Sequence, residues 1–416
     1  MRRIPILVFL CGLSIACDSN NGPSFSPTAP STSISVEDPA TLQTVTKTGP
    51  ASVKPLNARE ICGNPNDWEP DDAALQTCLD KGGNIDLEPG LPGYIVNGLN
   101  GDVNRGLHLI RSGTALGSSG GANRARIIAG RDLFAIILQT QGSVSNFSIR
   151  NISFDGMVDE MAEDGPYRRR RGECIDGRAP GNIFLQGNGF QFKDNESQHA
   201  MCGSGLGLMG SGYDVQNNYV SYNGRDKNSG APGAPWSDGM TVLSCERGYI
   251  AHNVLVDNTD IDLVLGGGRG CIVELNTIAH FGNYAFAGLS IGNFSGGDHT
   301  GSEFRGNTVY SGVPDRLSMG ILVGSHPWST QVWVHNAGRV VGNTSYGNVL
   351  NLIVEGVRGG EVVGNNIYNP QGSDSGCGKH SMNYVVNPAH VTNTKLQDGW
   401  TPLQFDEWVC VPVAGE

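Results

Sequence analysis

The sequence is poor in positive charge. Its 28 lysine and arginine residues stand against 40 aspartate and glutamate residues, which gives a net charge of −12. Nucleic-acid-binding domains need a basic surface, so this balance excludes DNA or RNA as a partner. The cysteines and histidines show no CxxC or His-rich spacing typical of a structural metal site. Glycine, in contrast, is abundant, with 60 residues and no collagen period, which indicates a fold with many tight turns.

The start of the chain has no apolar run long enough to span a bilayer. It has a shorter one, which predicts an export signal. Arg2 and Arg3 precede the apolar run Ile4–Ile15, which is too short to span a bilayer but suits a secretory signal over residues 1–16. The run ends at "LSIAC", which resembles the lipobox of bacterial lipoproteins and implies lipid attachment to Cys17. We therefore expect an exported cell-envelope lipoprotein, periplasmic or surface-facing, that touches the membrane only through this lipid.

A flexible tether and a single folded domain are predicted beyond the signal. Residues 17–55 are rich in serine, threonine and proline, which is typical of an unstructured linker. The domain is expected over residues 56–416. Once Cys11 leaves with the signal and Cys17 takes lipid, eight of the ten cysteines remain, an even number that suggests disulfides in an exported protein. The simplest pairing joins sequence neighbours: Cys62–Cys78, Cys174–Cys202, Cys245–Cys271 and Cys377–Cys410.

A phrase that opens with asparagine recurs along the chain. Examples are "NVLVDN" and "NTIAH", and a short strand with alternating apolar residues usually precedes each copy. Some copies lie 22 or 23 residues apart, close to one coil of a β-solenoid, and the longer spacings leave room for loops. The phrase begins at Asn151, Asn218, Asn253, Asn276, Asn307, Asn343 and Asn365.

The segment before the repeats predicts a helix that closes the solenoid. "DDAALQTCLDKGGNIDLEPGLPGYIV" indicates a short helix, which Asp71 or Asp72 would cap, followed by a strand. It resembles the opening segment of right-handed parallel β-helix proteins of the pectate-lyase-like superfamily. The expected fold is therefore all-β, a right-handed parallel β-helix with a short N-terminal capping helix.

Three aspartates are predicted to form an acidic cluster. Asp238 and Asp260 lie 22 residues apart, so they would be neighbours in adjacent coils about 4.8 Å apart. Asp260 and Asp262 are at positions i and i+2, which share one face of a strand. We expect all three in a solvent-open groove walled by the loop 223–236, where like charges raise at least one pKa. Asp257, beside them, is expected to be a turn residue.

The same region resembles the polygalacturonase family of glycoside hydrolases. That family carries Asn-Thr-Asp-Gly, Asp-Asp, Gly-His-Gly and Arg-x-Lys in this order, and this chain has "WSDGMTV", "NTDIDLVLGGG", "FAGLSIGNFSG" and "MGILVGS" over residues 235–325. Asp238 matches the first aspartate and Asp260 the first of the pair, while Ile261 stands at the second. A further resemblance is to secreted bacterial β-helix proteins that have no assigned activity.

The resemblance is incomplete at the remaining positions. Asp262 comes one residue after the place of the second paired aspartate, and Ala287 stands where the histidine belongs. Leu322 and Gly324 occupy the places of the arginine and lysine. These differences argue against the family's own reaction.

Three functions remain open. The first is a glycoside hydrolase without a cofactor, in which Asp238 works with Asp260 or Asp262 and Asp260 is the acid. The second is a lyase on a uronate polymer, in which the aspartates hold Ca²⁺ and Arg269 or another basic residue abstracts a proton. The third is a non-catalytic envelope or adhesion solenoid. For the enzymes the partner is a polysaccharide, with Trp236 expected to stack on a sugar and Arg269 to bind one. The sugar, the linkage and the oligomeric state are left open.

Overall fold

Three long parallel sheets wind into one solenoid. The computed structural model describes residues 62–131, 133–156, 181–224, 236–294, 297–314, 316–324, 334–371 and 382–402. Each coil crosses sheet 1, sheet 2 and sheet 3 in turn, and every strand pairs in parallel with its counterpart one coil away. The predicted parallel β-helix is confirmed.

The strands are short in sheets 1 and 2 and longer in sheet 3. Sheet 1 contains β1 (Asn84–Asp86), β3 (Ala115–Gly117), β6 (Ser148–Arg150), β9 (Gln191–Lys193), β12 (Asp214–Gln216), β15 (Tyr249–Ala251), β18 (Ile272–Glu274), β21 (Glu303–Arg305), β24 (Arg339–Val341), β28 (Glu361–Val363) and β32 (Lys395–Leu396). Sheet 2 contains β2 (Tyr94–Val96), β4 (Ala125–Ala129), β7 (Ile152–Asp155), β10 (Glu196–Gln198), β13 (Tyr219–Ser221), β16 (Val254–Val256), β19 (Thr277–His280), β22 (Thr308–Ser311), β25 (Thr344–Tyr346) and β29 (Asn366–Tyr368). Sheet 3 contains β5 (Ile137–Gln139), β8 (Gly181–Asn188), β11 (Gly203–Ser211), β14 (Ser237–Glu246), β17 (Ile261–Leu265), β20 (Ala285–Ile291), β23 (Leu317–Val323), β26 (Leu350–Val354), β30 (Met382–Val386) and β33 (Thr401–Pro402). A small additional pair joins β27 (Val357–Arg358) to β31 (Val391–Thr392).

A ladder of buried asparagines holds the turn between sheets 1 and 2. From Asn218 onward, the side-chain oxygen of each asparagine accepts both the backbone N–H and the side-chain amide of the asparagine one coil earlier, with amide-to-oxygen distances of 2.8–3.3 Å. The amide of each also donates to a backbone carbonyl of the previous coil. Every polar atom of these side chains is therefore paired inside the core, which offsets the cost of burying them. The ladder consists of Asn195, Asn218, Asn253, Asn276, Asn307, Asn343 and Asn365.

The repeated phrase predicted this ladder with two errors at its start. Asn151, which opens the first copy of the phrase, is not a rung: it takes a left-handed conformation with φ of 55° and donates to the carbonyl of Ser118. Ile152 occupies the rung position and donates its N–H to Asn195. The phrase missed Asn195 because polar residues, "ESQ", follow it in place of an apolar strand.

The interior is a continuous apolar core that contains a stack of aromatic rings and a disulfide. Phe147, Phe190 and Tyr213 stack at the corner between sheets 3 and 1, with centroids 5.0 and 4.8 Å apart. The Cys245–Cys271 disulfide lies next along this stack, because a side chain at Gly248 would meet both the Cys245 sulfur and the Tyr213 ring. The bridge thus fills interior space in the coil where the aromatic column stops.

The disulfide predictions are confirmed where the structure describes both partners. Cys62–Cys78 and Cys245–Cys271 are bonded, with Cα atoms 5.8 and 5.6 Å apart. Cys202 is also disulfide-bonded, but its predicted partner Cys174 and the pair Cys377–Cys410 lie outside the described residues. Because disulfides persist in oxidising compartments, the bridges support export of the protein.

Replacing both Cys245 and Cys271 by serine is expected to lower the free energy of unfolding by about 2–4 kcal/mol. The bridge closes a loop across 26 residues, and its loss restores the freedom of that loop in the unfolded chain. Chemical denaturation followed by circular dichroism measures the change, and unchanged stability in the double variant would contradict it.

The helix α1, Asp72–Lys81, closes the first coil as predicted. Leu75 and Leu79 are buried against the core. Asp71 is the N-cap residue, as expected, but neither its carboxylate nor that of Asp72 bonds to the helix's own N-terminal amides. Asp71 instead accepts the N–H of Ile95 at 3.0 Å, and Asp72 accepts the N–H groups after β2. The two acids therefore attach the helix to sheet 2.

No helix among the described ranges is long and apolar enough to cross a membrane. The signal, Cys17 and the tether lie outside those ranges, so the lipid anchor and the domain limits stay predictions.

Candidate active site

Asp238 and Asp260 are neighbours at the start of two adjacent strands of sheet 3. Strands β14 and β17 pair with Met240 opposite Leu263, so one coil here spans 23 residues rather than the expected 22. Asp260 consequently precedes β17 and lies beside Ser237, to whose carbonyl it donates its N–H at 3.3 Å. Asp238 lies one position further along. Both residues remain partly exposed, and the charge of Asp238 acts on the carboxyl of Asp260.

The carboxyl of Asp238 is held by two donors. One oxygen accepts the backbone N–H of Ile261 at 3.2 Å, and the other accepts the hydroxyl of Thr241. The Thr241 oxygen also lies 2.5 Å from the hydroxyl of Ser204. Because Thr241 gives its proton to Asp238, Ser204 donates to Thr241. The roles of Thr241 and Ser204 beside Asp238 were not predicted, because nothing in the sequence distinguishes these hydroxyl residues from the other polar residues of the strands.

The two carboxyls have raised pKa values. Burial raises the pKa of Asp238 to about 6, although the hydrogen bonds from Thr241 and Ile261 oppose this by favouring the charged form. Burial and the neighbouring charge of Asp238 raise the pKa of Asp260 well above its usual range. Two interacting carboxyls lose their protons in two steps that belong to the pair. The hydrogen bonds to Asp238 make it the carboxyl that ionises first, and its charge then opposes ionisation of Asp260.

Asp262 does not belong to this pair, contrary to expectation. Its carboxyl is completely buried, accepts the amide of Asn258 at 2.8 Å and lies 2.5 Å from Nε2 of His280. The shared face predicted for Asp260 and Asp262 fails because Asp260 lies outside the regular strand. Strand β17 is itself irregular: Ile261 and Val264 pack on its outer side, three residues apart, while Leu263 and Leu265 face the core. Asp262 and Leu263 thus both turn inward.

His280 is the partner that holds Asp262 in the core. Its Nδ1 lies 3.0 Å from the carbonyl oxygen of Asn283, which can only accept, so Nδ1 carries a proton. Burial alone would lower the pKa of His280, but the charge and hydrogen bond of Asp262 raise it above its usual value. The pair is therefore a buried ion pair or its proton-shifted equivalent. Isolated histidines in the sequence gave no sign of this contact.

Asp257 is a turn residue, as expected. It has φ of 53°, and its Oδ1 accepts the N–H groups of Phe281, Gly282 and Asn283 at 2.8, 3.0 and 3.2 Å. It therefore fixes the next turn towards sheet 3.

The two predicted sugar-binding residues lie at opposite ends of the strands. Trp236 comes directly before β14 and is partly exposed, close in sequence to Asp238. The adjoining loop that was predicted to wall the groove falls at residues 225–235, outside the described ranges. Arg269 follows the far end of β17 and pairs with Asp298, Nε to Oδ1, at 3.2 Å. It therefore does not join Trp236 beside the aspartate pair.

Three positions that depart from the polygalacturonase pattern, Ile261, Ala287 and Leu322, belong to a buried apolar cluster. Ala287 is paired in register with Ile261, and both lie with Leu322 in one buried cluster on the outer side of sheet 3. Where that pattern has a histidine and an arginine, this chain therefore has buried apolar side chains. Among the described residues no group of three or more His, Cys, Asp or Glu side chains is placed to hold a metal ion.

Comparison with known proteins identifies the architecture. No protein-family profile and no curated protein matches the chain. The A-module of the mannuronan C-5 epimerase AlgE6 from Azotobacter vinelandii is similar over 81% of this chain and 92% of its own, with 14% identity and a TM-score of 0.52. The chain is a right-handed parallel β-helix.

Other solved structures show weaker similarity to this β-helix. Endopolygalacturonase I from Stereum purpureum has 13% identity and a TM-score of 0.33, with 82% of this chain and 99% of that one covered. PfbA, a surface adhesin of Streptococcus pneumoniae, has 11% identity and a TM-score of 0.34, with 82% and 91% covered. At these identities the likeness shows the fold alone.

Proposed function

We propose that the protein is a glycoside hydrolase that cleaves a polysaccharide with Asp260 and Asp238. The observation that supports this most is the neighbouring, partly exposed carboxyl pair with raised pKa values. Hydrolysis of a glycosidic bond needs one protonated and one ionised carboxyl. The two environments differ in the required sense, since Asp238 has two donors that favour its charge, whereas the charge of Asp238 opposes ionisation of Asp260.

The proposed reaction gives each carboxyl one role. Asp260 donates its proton to the glycosidic oxygen, so the leaving sugar departs with a new hydroxyl. Asp238 either takes a proton from the water that attacks the anomeric carbon or attacks that carbon itself, and water then completes the reaction. The hydrogen bonds from Thr241 and Ile261 keep Asp238 oriented.

A screen of polysaccharides tests this proposal. Purified protein is incubated with neutral and uronate polymers, with and without a chelator, and new reducing ends and ultraviolet absorbance are measured. Hydrolysis gives reducing ends without new absorbance and survives the chelator. The lyase alternative would require Ca²⁺ and give absorbing unsaturated products. An adhesion or envelope solenoid would release nothing, and either of these two results would overturn the proposal.

The rate of cleavage is expected to depend on pH as a bell. It rises as Asp238 loses its proton near pH 6 and falls at higher pH as Asp260 loses its own. Thr241→Val removes a donor that favours ionised Asp238, so we expect the rising limb to move up by about 0.5–1 pH unit. Initial rates across pH measure this. Thr308→Val, on the surface of sheet 2, is the control, and a limb that moves equally in both variants would contradict the assignment.

A further inference from the structure

A second cleft lies at the corner between sheets 3 and 1. It has a volume of about 490 Å³, and its walls include Glu246, Arg269, Asn293, Asp298 and Arg358. From Asp238 to Glu246 the chain advances eight residues along β14, which is about 26 Å at 3.3 Å per residue. The cleft is thus separate from the carboxyl pair.

The cleft is elongated along the solenoid axis. Its residues come from successive coils: Glu246 ends β14, Arg269 follows β17, Asn293 follows β20, and Arg358 follows β26. Coils are stacked about 4.8 Å apart, so four steps cover about 19 Å. A narrow site of this length suits an extended chain better than a compact ligand.

The walls are polar and balanced in charge. Glu246 and Asp298 offset Arg269 and Arg358, and Arg269 is already paired with Asp298. Glu246 and Arg358 form no ion pair with any other residue in the described part of the chain, so a carboxylate acceptor stands at one end and a guanidinium donor at the other. An apolar chain would leave these groups desolvated without partners.

Asn293 offers a further unfilled contact. Its side-chain oxygen is buried and has no hydrogen-bond partner among the residues that the structure describes. Buried polar atoms are nearly always paired in native proteins, so an orphaned acceptor in a cleft wall points to a donor supplied from the cleft.

We propose that this cleft binds a neutral oligosaccharide chain at a second, non-catalytic site. Sugar hydroxyls both donate and accept hydrogen bonds, which matches a wall that alternates donors and acceptors. The net charge of −12 and the balanced walls disfavour a polyanion. The site is independent of cleavage and does not require the proposed hydrolysis to be correct.

Calorimetric titration of the full chain tests the site. The probes are cellohexaose, laminarihexaose, mannohexaose and xylohexaose, with hexagalacturonate as the acidic comparison. The titrations use the Asp238→Asn/Asp260→Asn protein, which prevents cleavage of the probe, and binding at the second cleft is the part that substitutions of the cleft arginines weaken. We expect at least one neutral hexasaccharide to bind, and Arg269→Ala/Arg358→Ala to weaken that binding at least about tenfold.

Two controls keep the test decisive. Asn293→Ala, which leaves both arginines in place, should weaken the same binding about three- to tenfold. Arg150→Ala removes an exposed arginine of sheet 1 outside the cleft and should leave binding unchanged. Absence of binding at millimolar probe, equal affinity in all variants, or tighter binding of hexagalacturonate than of every neutral probe would overturn the proposal. Binding that the Asp238→Asn/Asp260→Asn protein retains and that Arg269→Ala/Arg358→Ala weakens would separate this site from the hydrolase.

Discussion

Replacing Asp260 by asparagine is expected to lower the rate of polysaccharide cleavage by about 10²–10⁴-fold, because asparagine cannot donate a proton to the leaving oxygen. Release of reducing ends from the polymer identified in the screen measures the effect. Asp194→Asn is the matched control, since Asp194 is exposed at a left-handed turn with φ of 58°, a conformation that asparagine also adopts. Full activity in the Asp260→Asn variant would end the two-carboxyl mechanism.

The same substitution should also show that lost activity does not come from misfolding. A carboxyl with a raised pKa contributes stability while it is protonated and loses that contribution as the pH rises through its folded-state pKa. Asparagine stays neutral throughout. We therefore expect Asp260→Asn to unfold at a higher temperature than the wild type at neutral to alkaline pH, with the difference vanishing in acid. A variant less stable than the wild type at every pH would instead indicate a structural role.

Replacing Asn276 by alanine is expected to lower the free energy of unfolding by about 3–4 kcal/mol. The side chain makes four hydrogen bonds: two accepted from Asn253 and one donated each to Ile250 and Asn307. Each is worth about 1 kcal/mol, and the loss leaves buried groups unpaired. Chemical denaturation measures the total, and hydrogen exchange at the Asn253 amide measures the local effect.

Asn366→Ala is the control for the ladder, because this side chain is exposed at the start of β29. It should change stability by less than about 0.5 kcal/mol. If Asn276→Ala cost no more than this control, the ladder would not stabilise the solenoid in the way its hydrogen bonds indicate.

The sequence predicted the fold because its strongest signal repeats. Asparagine followed by short apolar strands recurs with the coil, and one misassigned copy at Asn151 does not alter the architecture. The disulfide between Cys245 and Cys271 was also predictable, since 26 residues bring the two cysteines into adjacent coils. These inferences depend on the repeat spacing, and an error of one residue in that spacing does not change the predicted fold.

The site was less predictable because one residue decides which way a side chain points. The coil from Asp238 has 23 residues, and β17 departs from strict alternation, so Asp262 faces the core while Asp260 stays at the surface. His280, the partner of Asp262, comes from a different sheet. The two residues are 18 apart in sequence, a separation that has no relation to the coil period. Contacts of this kind depend on side-chain packing, which a period does not specify.

The turn between sheets 1 and 2 differs from the turns at the other two corners of the coil, because its length stays constant. From β12 onward, each crossing from sheet 1 to sheet 2 at this edge uses two residues, as at His252–Asn253 and Leu275–Asn276, while successive rungs are 22 to 36 residues apart. The variation in coil length is therefore absorbed mainly in the strands of sheet 3 and at the other two corners. This constant turn keeps the stacking of the coils regular. Loops around the carboxyl pair or the second cleft can therefore lengthen during evolution without altering the pitch of the coil.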